Sequence, residues 1–432
     1  MTESQRLILA LVLVALYLVW VGYLFWRHKG RYLFTHISDS ELLVAYASQT
    51  GTAQGVAEEL ANDYHTQARP LSAITIEKLA EYQRAIFVVS TYGHGEPPDN
   101  GRSFLRRLNQ ANASSTDLSH LNFNVIALGD SKYPHFCAFG EQIEKGLKAL
   151  GAVASTALEK RDRSDSALTQ DTSVQAESEF EQFTLVNRRQ LNNDSTRPLF
   201  EIDLRPASDA FSWHPGDILD ILPGINSGVQ EQAAARSYTI ASLPEEGIIK
   251  LIIRLVIKPD GELGKASGWV SRQLDIGCPV RGKLHRNPSC YLTEDAKPIL
   301  LIGAGSGLAG IRSQWLHATK QASRRLYVIY GEREPDNDDV LPKVIEPSIQ
   351  HAPTTAVNRV FSRCQEHPSY VQQSLSLQMA NLQDVVDNGG QIYVCGSYAG
   401  MGEGIHHTLS TMLGEDTVTQ LIDARRYHRD VY

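Results

Sequence analysis

At 432 residues and 42% hydrophobic content, the chain is long enough for two or three packed domains. A formal net charge of −8 argues against a nucleic-acid binder and favours a soluble surface and, weakly, a basic partner. The five cysteines, Cys137, Cys278, Cys290, Cys364 and Cys395, are scattered without a Cys-x-x-Cys pair, which points to neither a zinc site nor a disulfide framework and reads as a reducing compartment.

Leu7 to Trp26 is an unbroken apolar run, long enough to cross a bilayer core, with Trp20, Tyr23 and Trp26 as interfacial anchors toward one end. As a signal peptide its apolar part is too long, and no small-x-small cleavage site follows. Arg27, His28, Lys29 and Arg31 after the run outweigh Arg6 and Glu3 before it, so the positive-inside rule places everything downstream in the cytoplasm. The stretch from Arg31 to Glu41 reaches roughly 35 Å when extended, which keeps the next domain near the membrane.

From Glu41 to Leu168 strand and helix patterns alternate, the signature of a doubly wound sheet. The apolar run Leu42-Leu43-Val44-Ala45-Tyr46-Ala47 ends in Ser48-Gln49-Thr50-Gly51-Thr52-Ala53 and passes into the helical pattern Gln54 to Tyr64. Hydroxyls, a glycine and the free N–H groups of a helix start make a phosphate cradle. Lacking both the Gly-Lys-Ser/Thr ending and spaced glycines, it suits a single terminal monoester; the plain alternative is a capped helix after a strand. Two further apolar strands, Phe87–Ser90 and Val125–Leu128, end in Thr91-Tyr92-Gly93-His94-Gly95-Glu96-Pro97-Pro98-Asp99-Asn100 and Gly129-Asp130-Ser131-Lys132-Tyr133-Pro134-His135-Phe136. In an open parallel sheet these three strand ends meet at one crevice, where Tyr92 and Tyr133 can sandwich a flat ring. The polar stretches Glu159 to Asp165 and Thr169 to Glu179 read as a linker.

Residues 180–296 change to short alternating runs, Phe200–Leu204, Asp217–Leu222, Ser237–Ile240 and Lys250–Val256, which predict a small antiparallel barrel. Arg236-Ser237-Tyr238-Thr239 sets a guanidinium and a phenol ring on one face of a strand, suited to a pyrophosphate and a flavin ring. Gly264-Lys265-Ala266-Ser267-Gly268 opens a short helix with small residues, so backbone N–H groups can approach a second phosphate.

Residues 297–432 alternate strand and helix again. The strand Pro298–Ile302 runs into Gly303-Ala304-Gly305-Ser306-Gly307, a turn on which a pyrophosphate can sit. Ser362-Arg363, an arginine next to a serine, is a sensible phosphomonoester clamp. Gln391–Gly396 is a strand that ends on the thiol of Cys395, and the chain stops at Asp430-Val431-Tyr432, an aromatic end free to swing.

Together these motifs resemble the diflavin reductases, the family of cytochrome P450 reductase and the bacterial sulfite reductase flavoprotein. The resemblance implies FMN in the first domain, with Ser48, Gln49, Thr50, Gly51, Thr52 and Ala53 on the phosphate. It places Tyr92 and Tyr133 on the ring, with Thr91, Gly93, Gly95, Leu128, Gly129, Asp130 and Phe136 completing the loops. It implies FAD in a ferredoxin–NADP reductase-like barrel, held by Arg236, Ser237, Gly264, Ala266 and Ser267, covered by Tyr238, with Thr239 near the reactive nitrogen. NADPH is implied on Gly303, Gly305, Ser306 and Gly307, its 2′-phosphate and adenine on Ser362, Arg363, Tyr370 and Gln372. Thr239, Cys395 and Asp430 then act in hydride transfer, and Tyr432 stacks on the FAD and moves aside.

Three departures are visible. Gly310 stands where proline is usual, Pro368 replaces a lysine, and only a loop separates Pro215-Gly216-Asp217 from Arg236 where the family carries a helical connecting domain. The expected function is a single-pass bacterial inner-membrane NADPH reductase passing electrons through FAD and FMN to a redox protein. The rival readings are a reductase of a diffusible acceptor such as a ferric chelate or quinone, and a non-catalytic flavin module.

Overall fold

The computed structural model describes residues 42–48, 51–91, 95, 97–111, 116–129, 131, 135–162, 180–193, 195–208, 210–224, 235–350 and 355–432. The expected membrane span at 7–26 and the linker at 169–179 lie outside the described residues. Among the described residues no helix is long and apolar enough to cross a membrane.

The first domain runs β1 (Leu42–Ala47), α1 (Thr52–Asp63), β2 (Ala68–Pro70), β3 (Arg84–Ser90), α2 (Asp99–Gln110), β4 (Asn122–Gly129), α3 (Ala138–Ala149), β5 (Val153–Ala154) and β6 (Glu159–Asp162). Its strands are parallel in the order β2-β1-β3-β4, with β5 and β6 both paired to β4. The two-residue period of β1 divides the core. Leu43, Ala45 and Ala47 face Phe104 of α2 and Phe139 of α3, whereas Leu42 and Val44 face Ala53, Ala57 and Ala61 of α1. That alanine stripe lets α1 lie close against the sheet, so helices cover both faces as a doubly wound fold requires.

Glu159 to Asp162, expected in the linker, is instead strand β6, in register with β4 from Ile126↔Glu159 to Gly129↔Asp162. Its polarity reflects a sheet edge: Lys160 pairs with Glu141 at 2.6 Å and Arg161 with Glu159 at 2.8 Å.

The second unit is an antiparallel barrel of β7 (Glu181–Gln190), β8 (Leu199–Pro206), β9 (Ile218–Leu222), β10 (Arg236–Thr239), β11 (Ile249–Arg254) and β12 (Pro279–His285), in the order β10-β9-β12-β7-β8-β11. It closes where Ile240 bridges Leu251 and the Ala241 N–H donates to the Lys250 carbonyl at 2.7 Å. Phe183, Leu185, Phe200, Ile202, Leu219, Leu251 and Trp269 fill it. A short helix α4 (Lys265–Gly268) follows β11.

The third unit is a parallel sheet in the order β15-β14-β13-β16-β17, built from β13 (Ile299–Ala304), β14 (Leu326–Glu332), β15 (Thr355–Phe361), β16 (Gln391–Gly396) and β17 (Tyr427–Val431). Helices α5 (Leu308–Ala318), α6 (Val371–Ser376), α7 (Met379–Asp387), α8 (Glu403–Leu413) and α9 (Glu415–Asp423) flank it. It is clamped to the barrel by Arg312–Glu246 at 2.9 Å and Arg254–Glu332 at 3.0 Å. The first domain meets it through α2, where Arg106 donates to Thr419 Oγ1 of α9 at 3.2 Å and lies 3.9 Å from Asp416.

The Arg254–Glu332 pair gives a stability prediction. Burial holds the Glu332 carboxyl above its ordinary range, against the opposing pull of Arg254 and of the Tyr330 hydroxyl. A carboxyl raised in the folded state removes stability as pH climbs from its unfolded value through the raised one. Arg254→Ala leaves that charge buried and unpaired, at a cost of about 3 kcal/mol near neutral pH. Urea melts of wild type and variant at about pH 5 and about pH 8 should show the gap narrowing toward acid. An equal gap at both would mean the pair contributes packing alone.

Candidate active site

Loop closure at the carboxyl ends of β1, β3 and β4 builds the first part of the site. The Ser90 hydroxyl donates to the Ala47 carbonyl at 3.2 Å, and the Thr91 N–H donates to the Leu128 carbonyl at 2.9 Å, so the three strand ends are tied together. Gly51 caps α1 in the left-handed region at φ 84°. Ser48 Oγ accepts the Ala53 N–H at 3.2 Å, while the Ser48 N–H donates to Asn100 Oδ1 at 3.0 Å. Thr91 Oγ1 accepts the Phe139 N–H at the start of α3.

The loops after β3 and β4 also touch, since a Cβ on Gly95 would lie 2.8 Å from His135; within the β4 loop, one on Gly129 would lie 2.8 Å from Phe136. Ser48, Gly51, Thr52, Ala53, Thr91, Gly95, Leu128, Gly129 and Phe136 therefore gather at one end of the sheet. Gln49, Thr50, Tyr92, Gly93, Asp130 and Tyr133 lie outside the described residues. The helix start, open at Gly51, fits a phosphate monoester. Asn100, the second residue of α2, ends the expected ligand loop but was not singled out as a site residue; an amide at a helix start gives no sequence signal that it reaches back to another loop.

The second part forms where the barrel meets the third unit. Asp430 Oδ2 accepts from Thr239 Oγ1 of β10 at 2.8 Å, from the Tyr393 hydroxyl at 2.9 Å and from Cys395 Sγ at 3.4 Å, the last two on β16. Register explains the meeting, because Cys395 pairs with Asp430 across β16 and β17 and with Gly303 across β16 and β13. Burial raises the Asp430 carboxyl while its three donors pull it down, and burial likewise lifts the Cys395 thiol well above its ordinary range. At neutral pH that thiol is a neutral donor.

Around this centre, Tyr238 is half-buried, its phenol pushed up to about 12 by burial. The Ser237 hydroxyl is directed instead to Asp220. Ser267 Oγ accepts the Val256 N–H at 3.1 Å, and a Cβ on Gly264 would collide with that hydroxyl at 2.7 Å, so this turn is tightly closed beside Ala266. Arg236 is exposed on β10.

In the glycine turn, the Gly305 carbonyl accepts from the Tyr330 hydroxyl at 2.8 Å, and Ser306 Oγ accepts from the Tyr432 hydroxyl at 2.7 Å. A Cβ on Gly303 would lie 2.5 Å from Ile311, and one on Gly307 2.0 Å from the Cys395 carbonyl oxygen. Such a close-packed, side-chain-free turn leading into a helix fits a pyrophosphate. Ser362 and Arg363 follow β15 and are brought beside Tyr370 by the Ser369 N–H bond to the Phe361 carbonyl at 3.1 Å. Arg363 is shared with Glu334 at 3.5 Å, and Gln372 packs on Gly404.

The chain end differs from expectation. The Tyr432 N–H donates to the Gly396 carbonyl at 3.0 Å and its main-chain oxygen accepts from the Tyr398 N–H at 2.9 Å, so its backbone is pinned to the sheet, and the ring can turn only by giving up its bond to Ser306.

Residues 44–182 match the flavodoxin family, and residues 301–407 match the oxidoreductase NAD-binding domain family. The chain is 24% identical to the sulfite reductase [NADPH] flavoprotein alpha-component of Vibrio cholerae serotype O1, over 96% of this chain and 93% of that protein. It is 23% identical to the protein of the same name in Vibrio vulnificus, over 91% and 87%, and 22% identical to that of Neisseria meningitidis serogroup C, over 90% and 89%. The first alignment spans 574 positions, more than this chain possesses, so that relative carries internal sequence absent here.

A flavodoxin domain, an antiparallel barrel and a nicotinamide-type domain in one chain define a two-flavin oxidoreductase. The two domain matches and these relatives together support a diflavin reductase. The chain is an NADPH-dependent flavin oxidoreductase whose cofactors are FMN, FAD and NADPH.

Proposed function

We propose that the chain is a membrane-anchored reductase that takes electrons from NADPH through FAD and FMN to a separate one-electron acceptor, a haem or other redox protein. The observation that carries this reading is the cluster of Thr239, Cys395 and Asp430 at the barrel junction, on the same chain as the phosphate cradle at Gly51. A flavin can accept two electrons together from a nicotinamide and release them singly, which is the chemistry the bound groups supply.

The protein's own residues bind and orient. Ser48 and the start of α1 hold the FMN phosphate; Arg236, Ser237, Gly264, Ala266 and Ser267 hold FAD; the turn Gly303–Gly307 takes the NADPH pyrophosphate, and Ser362, Arg363, Tyr370 and Gln372 its 2′-phosphate and adenine. Tyr238 and Tyr432 cover the FAD ring, while Thr239, Cys395 and Asp430 direct hydrogen-bonding groups at the reacting atoms. The Gly51 turn lies against the Arg286 carbonyl of the barrel, at 3.6 Å from where a Cβ would stand, which supports direct passage between the two flavin domains. β9 ends at Leu222 and β10 begins at Arg236, so only a short connection separates the two strands in sequence.

Residues 7–26 supply the anchor, and the basic residues after them set the catalytic domains on the cytoplasmic face of a bacterial inner membrane. The relatives are named for sulfite reduction; in this chain the acceptor is a partner near the membrane. Anaerobic NADPH titration of residues 42–432, with cofactor release, should give FAD and FMN in equal amounts, both reduced. Full-length protein should sediment with membranes while residues 42–432 do not. FMN that stays oxidised would sink the relay, rapid reduction of ferric chelate with no partner would favour the diffusible acceptor, and full-length protein in the soluble fraction would remove the anchor.

A further inference from the structure

The junction cluster contains a group to which neither the motifs nor the comparisons give a role. Tyr393 is fully buried on β16, two residues before Cys395 and therefore on the same face of the strand. Its hydroxyl donates to Asp430 Oδ2 at 2.9 Å, the same oxygen that accepts from Thr239 and Cys395. No donor among the described residues reaches Oδ1. Space for this arrangement comes from Gly310 of α5: a Cβ there would lie 2.4 Å from the Tyr393 hydroxyl and 2.7 Å from Cys395 Sγ. The glycine that departs from the family's proline is thus fitted to the phenol.

We propose that Tyr393 is a positioning residue for hydride transfer, its phenol fixing the Asp430 carboxyl so that Thr239 and Cys395 share one oxygen and the other stays open. This rests on the reading of Asp430 as a group that acts in that step.

Three donors on one oxygen stop the carboxyl from turning about its Cβ–Cγ bond, and a buried phenol with no acceptor would be costly, so the two groups hold each other in place. The bond also favours the ionised carboxylate, the form able to stabilise positive charge developing beside it. The titratable groups facing the carboxyl are Tyr393 and Cys395 on β16, with Cys290 behind them and Tyr432 at the end of β17; Arg254 of β11 is the nearby cation. Cys290, Cys395 and Tyr432 are retained in the variants below, so a change in Asp430 titration reports on the phenol.

The test is Tyr393→Phe beside Asp430→Asn, each checked for FAD content. Infrared difference spectra of the nucleotide-free protein across pH read the Asp430 carboxyl directly, using Asp430→Asn to assign the band. In Tyr393→Phe its titration should move upward by about one pH unit. The acid limb of stopped-flow FAD reduction by NADPH should move upward with it, and the rate near neutral pH should fall about tenfold with NADPH affinity within about twofold. If Tyr393→Phe loses FAD, its Asp430 titration is read against FAD-free wild type and should show the same upward movement. An unmoved Asp430 titration, with Asp430→Asn still slowing FAD reduction, overturns the role of Tyr393 and leaves that of Asp430 standing. Full-rate FAD reduction in Asp430→Asn overturns both.

Discussion

Gly51→Asp will strip the chain of FMN while leaving NADPH-driven reduction of FAD intact. Gly51 caps α1 at φ 84°, a conformation that glycine adopts freely and aspartate only under strain. Room is not the obstacle, because the nearest atom to an added Cβ is the Arg286 carbonyl oxygen at 3.6 Å. Charge is the larger effect. A carboxylate among the first N–H groups of the helix occupies the positive end meant for a phosphate and repels the dianion directly. Affinity for FMN should fall on the order of 100-fold or more, enough to lose the cofactor on purification. Released flavin should change from near parity to FAD almost alone, and transfer to one-electron acceptors should drop in proportion, while stopped-flow FAD reduction stays near the wild-type rate. Gly55→Ala is the control: exposed on the same helix with nothing within 4 Å, it should keep FMN and gain a few tenths of a kcal/mol. FMN at parity in Gly51→Asp would place the phosphate elsewhere.

This prediction could be framed from sequence alone, because a strand that stops in hydroxyls and glycine before a helix states its geometry locally. So do the glycine turn after β13 and the Cys395 strand end. Features that depend on distant partners were silent. β6 is Glu-Lys-Arg-Asp, indistinguishable by composition from linker, and becomes a strand because β4 offers it an open edge. β7 and β12 were absent from the expected barrel runs: only alternate positions such as Phe183 and Leu185 of β7 are buried, and Pro279 and Gly282 break the look of β12. Arg254 and Glu332 find each other across 78 positions of sequence. Tyr393 reads as core, since a phenol in an apolar strand gives no sign that its hydroxyl meets a carboxylate supplied by the last strand. The end at Tyr432 read as free because chain ends usually are; its backbone bonds to Gly396 and Tyr398 come from β17 running beside β16.

Gly307→Ala should be the most damaging single methyl in the third unit. Its backbone at φ −58° and ψ −11° is ordinary for any residue, so glycine is required here by contact alone. The added Cβ would stand 2.0 Å from the Cys395 carbonyl oxygen, 2.5 Å from its carbon and 2.9 Å from Gly396 Cα, all main-chain atoms. Neither side can yield without parting β13 from β16 at the Gly303↔Cys395 register, where the glycine turn, the thiol and Asp430 are assembled. Overpacking against backbone costs about 3 kcal/mol or more, and any relief moves Cys395 relative to Asp430. Urea unfolding should lose that stability in the third unit, and FAD reduction by NADPH should fall more than about 100-fold at temperatures where the protein remains folded. Gly305→Ala separates contact from position within the same turn. Its Cβ meets only the Arg254 guanidinium, 2.8 Å from the nitrogen that pairs with Glu332, and its φ of 59° adds roughly 1 kcal/mol of strain. The side chain can yield a few tenths of an ångström and keep the pair, so a loss of about 1 to 2 kcal/mol and a milder kinetic defect than in Gly307→Ala are expected. If the two variants behaved alike, the turn would be tolerant of movement and the close seat of Gly307 on the Cys395 carbonyl would not be what aligns the thiol with Asp430.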